Sequence, residues 1–174
     1  MGRHLVAAVT ALAVASWVAP AFAETPKSDA KPSRDAAWFV IGIQPANARV
    51  EVQEPWIKNG VVWSFHVNFK SYVPEDGFIL VKGDPGKAYG VAAGAGLRYR
   101  PCGSVALFHA DAGTVVYITS ISFAGAGAPG LEALSYSQDM EGARAFLKAH
   151  YPGLSDSLEP GRYQMAQHAR VCSK

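Results

Sequence analysis

The sequence predicts a mainly β protein, an antiparallel β-sandwich with one α-helix near the C-terminus; an α+β arrangement is the alternative. Three observations carry this reading. Turn signals recur between short β-prone runs: Asn59-Gly60, Pro74-Glu75-Asp76-Gly77 and Asp84-Pro85-Gly86-Lys87. From Val61 to Lys70 the residues alternate, with Val61, Trp63, Phe65, Val67 and Phe69 on one parity and Ser64, His66, Asn68 and Lys70 on the other. Period two with one polar face describes a strand with one side on a core. Helical spacing occurs in one stretch, at Met140, Ala143, Phe146 and Leu147.

The chain opens with a basic head at Arg3, an apolar run from Leu5 to Val18, and Ala21-Phe22-Ala23 before Glu24. Small residues at −3 and −1 after an apolar segment form a signal-peptidase site, so residues 1–23 are expected to be removed. A retained anchor needs about 20 apolar residues, and this run is shorter, with Pro20 near its end. No cysteine stands at the cleavage site to carry a lipid. The expected product is periplasmic or secreted, without a stable membrane anchor.

Residues 24–37 hold Pro26, Pro32, three cations and small residues, a composition too poor in apolar groups to fold, and are expected to be a disordered linker. Residues 38–174 then suit one domain with its own core. Trp38-Phe39-Val40-Ile41 begins the β-prone texture. Asn59-Gly60 tolerates the positive φ angles of a type I′ turn and predicts a hairpin between Val50–Ile57 and Val61–Phe69. The strand from Val61, with its aromatics turned inward, is expected to be central. In Val73-Pro74-Glu75-Asp76-Gly77 the proline suits the first corner of a type I turn; Asp84-Pro85-Gly86-Lys87 fits type II.

In Phe108-His109-Ala110-Asp111-Ala112-Gly113-Thr114, a three-residue loop with Gly113 left-handed predicts a hairpin that sets Phe108 against Val116 and Ala106 against Ile118. The C-terminal helix is capped by Ser137 or Asp139 and stopped at Tyr151-Pro152-Gly153. A short helical turn at Ser155–Glu159 and a last strand, Tyr163–His168, complete the expectation.

The formal charge is +2 and falls to +1 when Arg3 leaves with the leader. So even a balance points to neither nucleic acid nor a polybasic membrane surface. Cys102 and Cys172 are the two cysteines, and in an oxidising compartment they most simply form one disulfide, the alternative being two free thiols. By the loop-entropy model such a bridge contributes on the order of 4 kcal/mol.

Candidate sites are few. His109 with Asp111 reads as the end of a strand and a turn corner, since a metal or catalytic role needs further converging groups. His66, His109, His150 and His168 fall on separate elements and make no ligand motif, so no metal and no cofactor is implied. The glycine-rich stretches 90–96 and 123–130 lack a phosphate-binding context. Arg98-Tyr99-Arg100 places two guanidinium groups on one strand face, able to clamp a carboxylate or phosphate, and is the leading ligand-binding candidate beside the reading as a solvated face. The carboxylates Glu51, Glu54, Glu75, Asp76 and Asp84 are scattered, and Cys102-Gly103-Ser104 is no nucleophile elbow.

The order of an exported leader, "GFILVKGDPGKAYGV", "YRPCG", "AGTVVYITSISF" and "EGARAFLKAHYPGL" resembles a group of uncharacterised bacterial envelope proteins with a small β-sandwich and an "AGKVVYIG"-like strand. Thr114 stands where those proteins often carry Lys, and the lipid-anchor cysteine of many is absent. The resemblance implies a fold and a compartment and no activity or site. The expected function is therefore a non-enzymatic binding or envelope-interaction module for an envelope or extracellular ligand. The alternative is a small secreted hydrolase or metal-binding protein whose site is assembled from residues distant in sequence.

Overall fold

The computed structural model describes residues 26–65, 70–93, 104–124 and 133–169. The leader, Arg98 and Arg100, Cys102 and Cys172, His66 and the glycine-rich residues 94–96 and 125–130 lie outside the described residues. Along the chain run β1 (Ala37–Gln44), β2 (Val50–Gln53), β3 (Pro55–Lys58), β4 (Val61–Phe65), β5 (Lys70–Tyr72), β6 (Phe78–Gly83), β7 (Tyr89–Ala93), β8 (Ser104–Phe108), β9 (Val115–Ala124) and β10 (Ala133–Ser137). Two helices, α1 (Met140–His150) and α2 (Pro152–Ser155), precede β11 (Leu158–Pro160) and β12 (Tyr163–His168).

The strands form two sheets, and the protein is mainly β, as expected. One sheet runs β10-β9-β1-β6, with β11 also on β9; the other runs β3-β4-β12-β8-β7-β2-β5. Pairing is mostly antiparallel, with three parallel exceptions, β1 with β9, β11 with β9 and β12 with β4. Between the sheets Phe39, Ile41 and Ile43 of β1 meet Val50, Val52, Val91 and Phe108 of the opposing sheet. On the outer face of the smaller sheet Trp38, Val40 and Tyr117 pack under Phe146, Leu147 and Leu154 of the helices. Three layers result, with β1 buried on both sides. A strand in that position must be apolar on both parities, which is why Ala37–Ile43 shows no polar alternation.

Helix α1 starts where Asp139 accepts a hydrogen bond from the Gly142 amide at 2.9 Å. The Asp139 amide in turn donates to the Tyr117 hydroxyl at 2.8 Å, tying the helix start to the sheet beneath it. The second helix begins at Pro152, where a helix tolerates proline because no amide partner is missed. It therefore lies ahead of the expected turn at Ser155–Glu159.

Several connections differ from expectation. Gly113 adopts the left-handed φ of 78°, as its loop requires. Yet β8 pairs with β7 and β12, whereas β9 pairs with β1, β10 and β11, so Asp111-Ala112-Gly113 carries the chain between sheets and forms no hairpin. Asp84-Pro85-Gly86-Lys87 does the same between β6 and β7. Turn chemistry dictates local backbone angles, and the partner of each strand is decided by which apolar face it must cover. Before β6 the corner falls on Asp76-Gly77, at φ 50° and 79°, and Glu75 and Phe78 exchange both backbone hydrogen bonds. This is the primed geometry that matches strand twist, so proline is not the corner residue.

The Asn59-Gly60 hairpin is present, with φ of 53° and 77°. Its first arm is only β3, because Val50–Gln53 is a separate strand with other partners. The second arm, β4, is not central; it lies one strand from the sheet edge. Trp56 pairs with Ser64 and Ile57 with Val62, which leaves Trp63 as the extra residue of a β-bulge. The bulge reverses the parity, so Val62 is buried and Trp63 is half exposed. The expected linker also holds contacts: Ala30 packs against the helical layer, Ala36 is fully buried and Ala37 opens β1.

Phe39 meets Phe108 edge-on at 5.1 Å in the middle of the sandwich. Phe39→Ala is expected to lower stability by about 3–5 kcal/mol, measured by urea unfolding. Gly42→Ala should also destabilise, because the Ser120 side chain occupies the space a Cβ would need.

Candidate functional site

Three groupings of polar or aromatic side chains stand out. The first joins α1 to the Asp76-Gly77 turn. His150 reaches Glu75 through Nδ1 at 3.3 Å and Asp76 through Nε2 at 2.8 Å. Residues 74 positions apart meet here because the turn that launches β6 lies beside the last turn of α1. Both ring nitrogens face carboxylates on different sides of the imidazole. Neither is left to take a proton from a nucleophile, and the three groups do not converge on one point where a cation would sit. Below lies a cavity of about 200 Å³, lined by Pro26, Ser71, Tyr72, Glu75, Phe146 and Tyr151. Burial, and secondarily the Glu75 charge, holds the Tyr151 phenol above its ordinary range. Ligand pockets typically enclose about 300–1,000 Å³. This one is smaller, and His150, which pairs with its lining residue Glu75, acts as a clamp between helix and turn.

The second grouping lies at the other end of β6, in the turn that follows it. Lys87 bonds Asp84 at 2.9 Å and Glu54 at 3.1 Å. The Lys87 hydrogen bond holds the Asp84 carboxyl below its usual range, and the two carboxylates raise the ammonium. The Asp84 amide also donates to the Tyr89 hydroxyl at 2.9 Å. The turn residues Asp84 and Lys87 pair with each other and with Glu54 and Tyr89 on flanking segments, so the cluster stabilises the crossing from β6 to β7. Exposed pairs of this kind contribute little to stability.

The third grouping is the β3–β4 hairpin. Trp56 is 46% exposed, Ile57 42% and Trp63 50%. The Trp56 and Trp63 rings lie 6.2 Å apart, and the Lys58 ammonium stands 6.0 Å from the Trp63 ring. Residues alternate along β3, so Trp56 and Lys58 share one face and Ile57 takes the other, opposite Val62. Met165 of β12, 48% exposed, shares the parity of Trp56 on the neighbouring part of the sheet. Half-exposed tryptophans side by side are uncommon on a protein that has a core to receive them, and contiguous apolar surface of this kind marks interaction sites.

The residues singled out from the sequence do not gather. His109 is exposed at the end of β8 and makes no hydrogen bond or ion pair among the described residues. Asp111 serves its turn, its backbone oxygen accepting from the Thr114 hydroxyl at 2.7 Å. His168 stacks on Phe65 with centroids 6.4 Å apart. No group of three or more His, Cys, Asp or Glu side chains fit to hold a metal occurs among the described residues. Among them, no helix is long and apolar enough to cross a membrane. Sequence reasoning passed over Trp56 and Ile57 and sent Trp63 to the core. The available signal was Trp56-Ile57-Lys58 directly before Asn59-Gly60, apolar residues of both parities at a hairpin tip. No family model matches the chain, and no curated protein or solved structure matches it.

Burial, with a smaller contribution from neighbouring Tyr89, pushes the Tyr72 phenol well above its ordinary value near 10. A raised folded-state pKa means that its contribution to stability is complete below about pH 10 and is lost as the pH climbs above it. Stability should thus fall in the alkaline range by up to about 1.4 kcal/mol per pH unit from this group. Tyr72→Phe is expected to flatten that slope in urea unfolding followed between pH 9 and 11.

Proposed function

We propose that the protein is an exported, non-enzymatic binding module that engages a component of the cell envelope through the β3–β4 hairpin. The observation that carries this reading is the exposed trio Trp56, Ile57 and Trp63, with Lys58 over the Trp63 ring. Tryptophan is among the residue types in which the binding energy of interfaces concentrates. Here the aromatics are held by a turn whose two left-handed residues set its geometry, so little conformational freedom is lost on binding.

A hydrolase built around His150 is the second reading, motivated by its two carboxylate partners and by the cavity that one of them, Glu75, lines. Both imidazole nitrogens are already engaged, and the cavity is small for a substrate, so the hairpin supports the binding reading better.

The test is sedimentation of the purified protein with isolated envelope fragments. Trp56→Ala combined with Trp63→Ala should reduce the bound fraction about tenfold or more while the circular dichroism stays native. Retention of full binding by the double variant would remove the hairpin from the proposal.

A further inference from the structure

We infer that the envelope component bound by the hairpin is the surface of an anionic phospholipid bilayer, into which Trp56, Ile57 and Trp63 insert at headgroup depth. This rests on the proposed binding role of the same hairpin and names its partner. The first argument is the disposition of the exposed apolar groups. Trp56 and Trp63 lie on one face of the hairpin and Ile57 on the other, each more than two-fifths exposed. A folded protein docking on this sheet would cover one face. A lipid layer surrounds a penetrating hairpin from both sides and satisfies all three residues at once.

Size points the same way. Specific protein interfaces engage about 20–30 residues a side, whereas the exposed apolar residues here are Trp56, Ile57 and Trp63 of one short hairpin, with Met165 of β12 beside it. Residue type agrees as well, because tryptophan concentrates at the level where hydrocarbon meets headgroups and its amphipathic ring is favoured there. Charge complements an anionic surface: from Pro55 to Phe65, Lys58 is the single charged residue, and no carboxylate opposes insertion. Its aliphatic stem can lie along the apolar layer while the ammonium reaches the phosphates.

Depth is bounded by the backbone. β3 is an edge strand, with no neighbour on its outer side among the described residues. Unpaired peptide groups cannot enter hydrocarbon without a large penalty, so the hairpin stays in the hydrated interfacial layer. With one cation and three apolar side chains, the attachment is reversible, in the manner of interfacial segments and unlike a spanning helix.

The experiment uses the chain from Glu24 onward, which contains every described residue and lacks the apolar leader, whose own affinity for lipid would mask the effect. Vesicles of phosphatidylglycerol and phosphatidylcholine in equal parts are compared with phosphatidylcholine alone. Binding is followed by sedimentation and by tryptophan emission. Trp38 is buried, so a blue shift reports Trp56 and Trp63. The expected result is partition into the mixed vesicles with a blue shift, weaker partition into phosphatidylcholine, and quenching greatest from lipids brominated near the headgroup. Trp56→Ala with Trp63→Ala should lower partition roughly tenfold or more. Ile57→Glu, on the opposite face, should lower it comparably, a change that a partner covering only the tryptophan face would not feel.

Absence of partition by the natively folded protein would overturn the inference, as would partition indifferent to the tryptophan substitutions or to Ile57→Glu. Hairpin-dependent binding to envelope fragments without binding to vesicles would overturn the lipid assignment alone and leave the binding module standing. Concentration-dependent dimerisation through the hairpin in place of vesicle binding would likewise assign the surface to a second copy and overturn the lipid partner.

Discussion

The burial of β1 on both of its faces is the constraint that organises this protein. Phe39, Ile41 and Ile43 look into the sandwich, and Trp38 and Val40 look under the helices. One strand thereby makes two cores continuous, which requires a neighbour on each edge, and β6 and β9 supply them in opposite orientations. Removing apolar surface at both faces contributes about 25 cal/mol per Å², so a strand with almost no exposed residue is where the driving force is densest. The register is kept by a tight approach at Gly42, where the Ser120 side chain takes the place of a Cβ and the pairing with β9 shifts by one residue.

From that strand the helical layer follows. Tyr117 on β9 is fully buried, and its hydroxyl is satisfied within the fold, 2.9 Å from the Ser120 hydroxyl and accepting from the Asp139 amide. A buried hydroxyl without partners would cost on the order of 1–3 kcal/mol. The position where it finds its partner is the position where α1 begins. At the far end of the helix His150 holds the turn that starts β6. Helix α1 therefore braces both edges of β1 from outside, and the small cavity between brace and sheet is a by-product of that geometry.

The larger sheet is wider than the smaller one, and its β3–β4 end extends to the margin of the fold. There the aromatic residues are not absorbed into the sandwich. The bulge at Trp63 matters here: without it Trp63 and Val62 would exchange faces and the satellite core of Val62, Val105 and Leu107 would lose its central member. The same irregularity that completes a small core on one side places two tryptophans together on the other. Structure and surface at this end share one cause.

Much was legible in the sequence. Residues that tolerate positive φ declare themselves, so Asn59-Gly60, Gly86 and Gly113 are turns wherever the chain goes. Helical spacing with Asp139 before it and Tyr151-Pro152 after it identifies α1, and Tyr163–His168 is a strand as read. These are properties of a few neighbouring residues and need no knowledge of the rest. Strand partnership is different. Phe108 and Val116 belong to the same core, yet they reach it from opposite sheets, because the free energy of covering β1 outweighs that of closing a local hairpin. The exposed aromatic hairpin was hidden for a related reason: a single bulge reverses every parity beyond it, and a bulge is settled by how the strand meets its neighbours. His150, Glu75 and Asp76 likewise carry no mutual signal along the chain. Sequence by itself determined the turns, the helix, the last strand and the β-rich class, all local preferences. Only the tertiary structure decided which strands pair, which tryptophans stay outside and which histidine finds carboxylates, since each depends on surfaces brought together from distant segments.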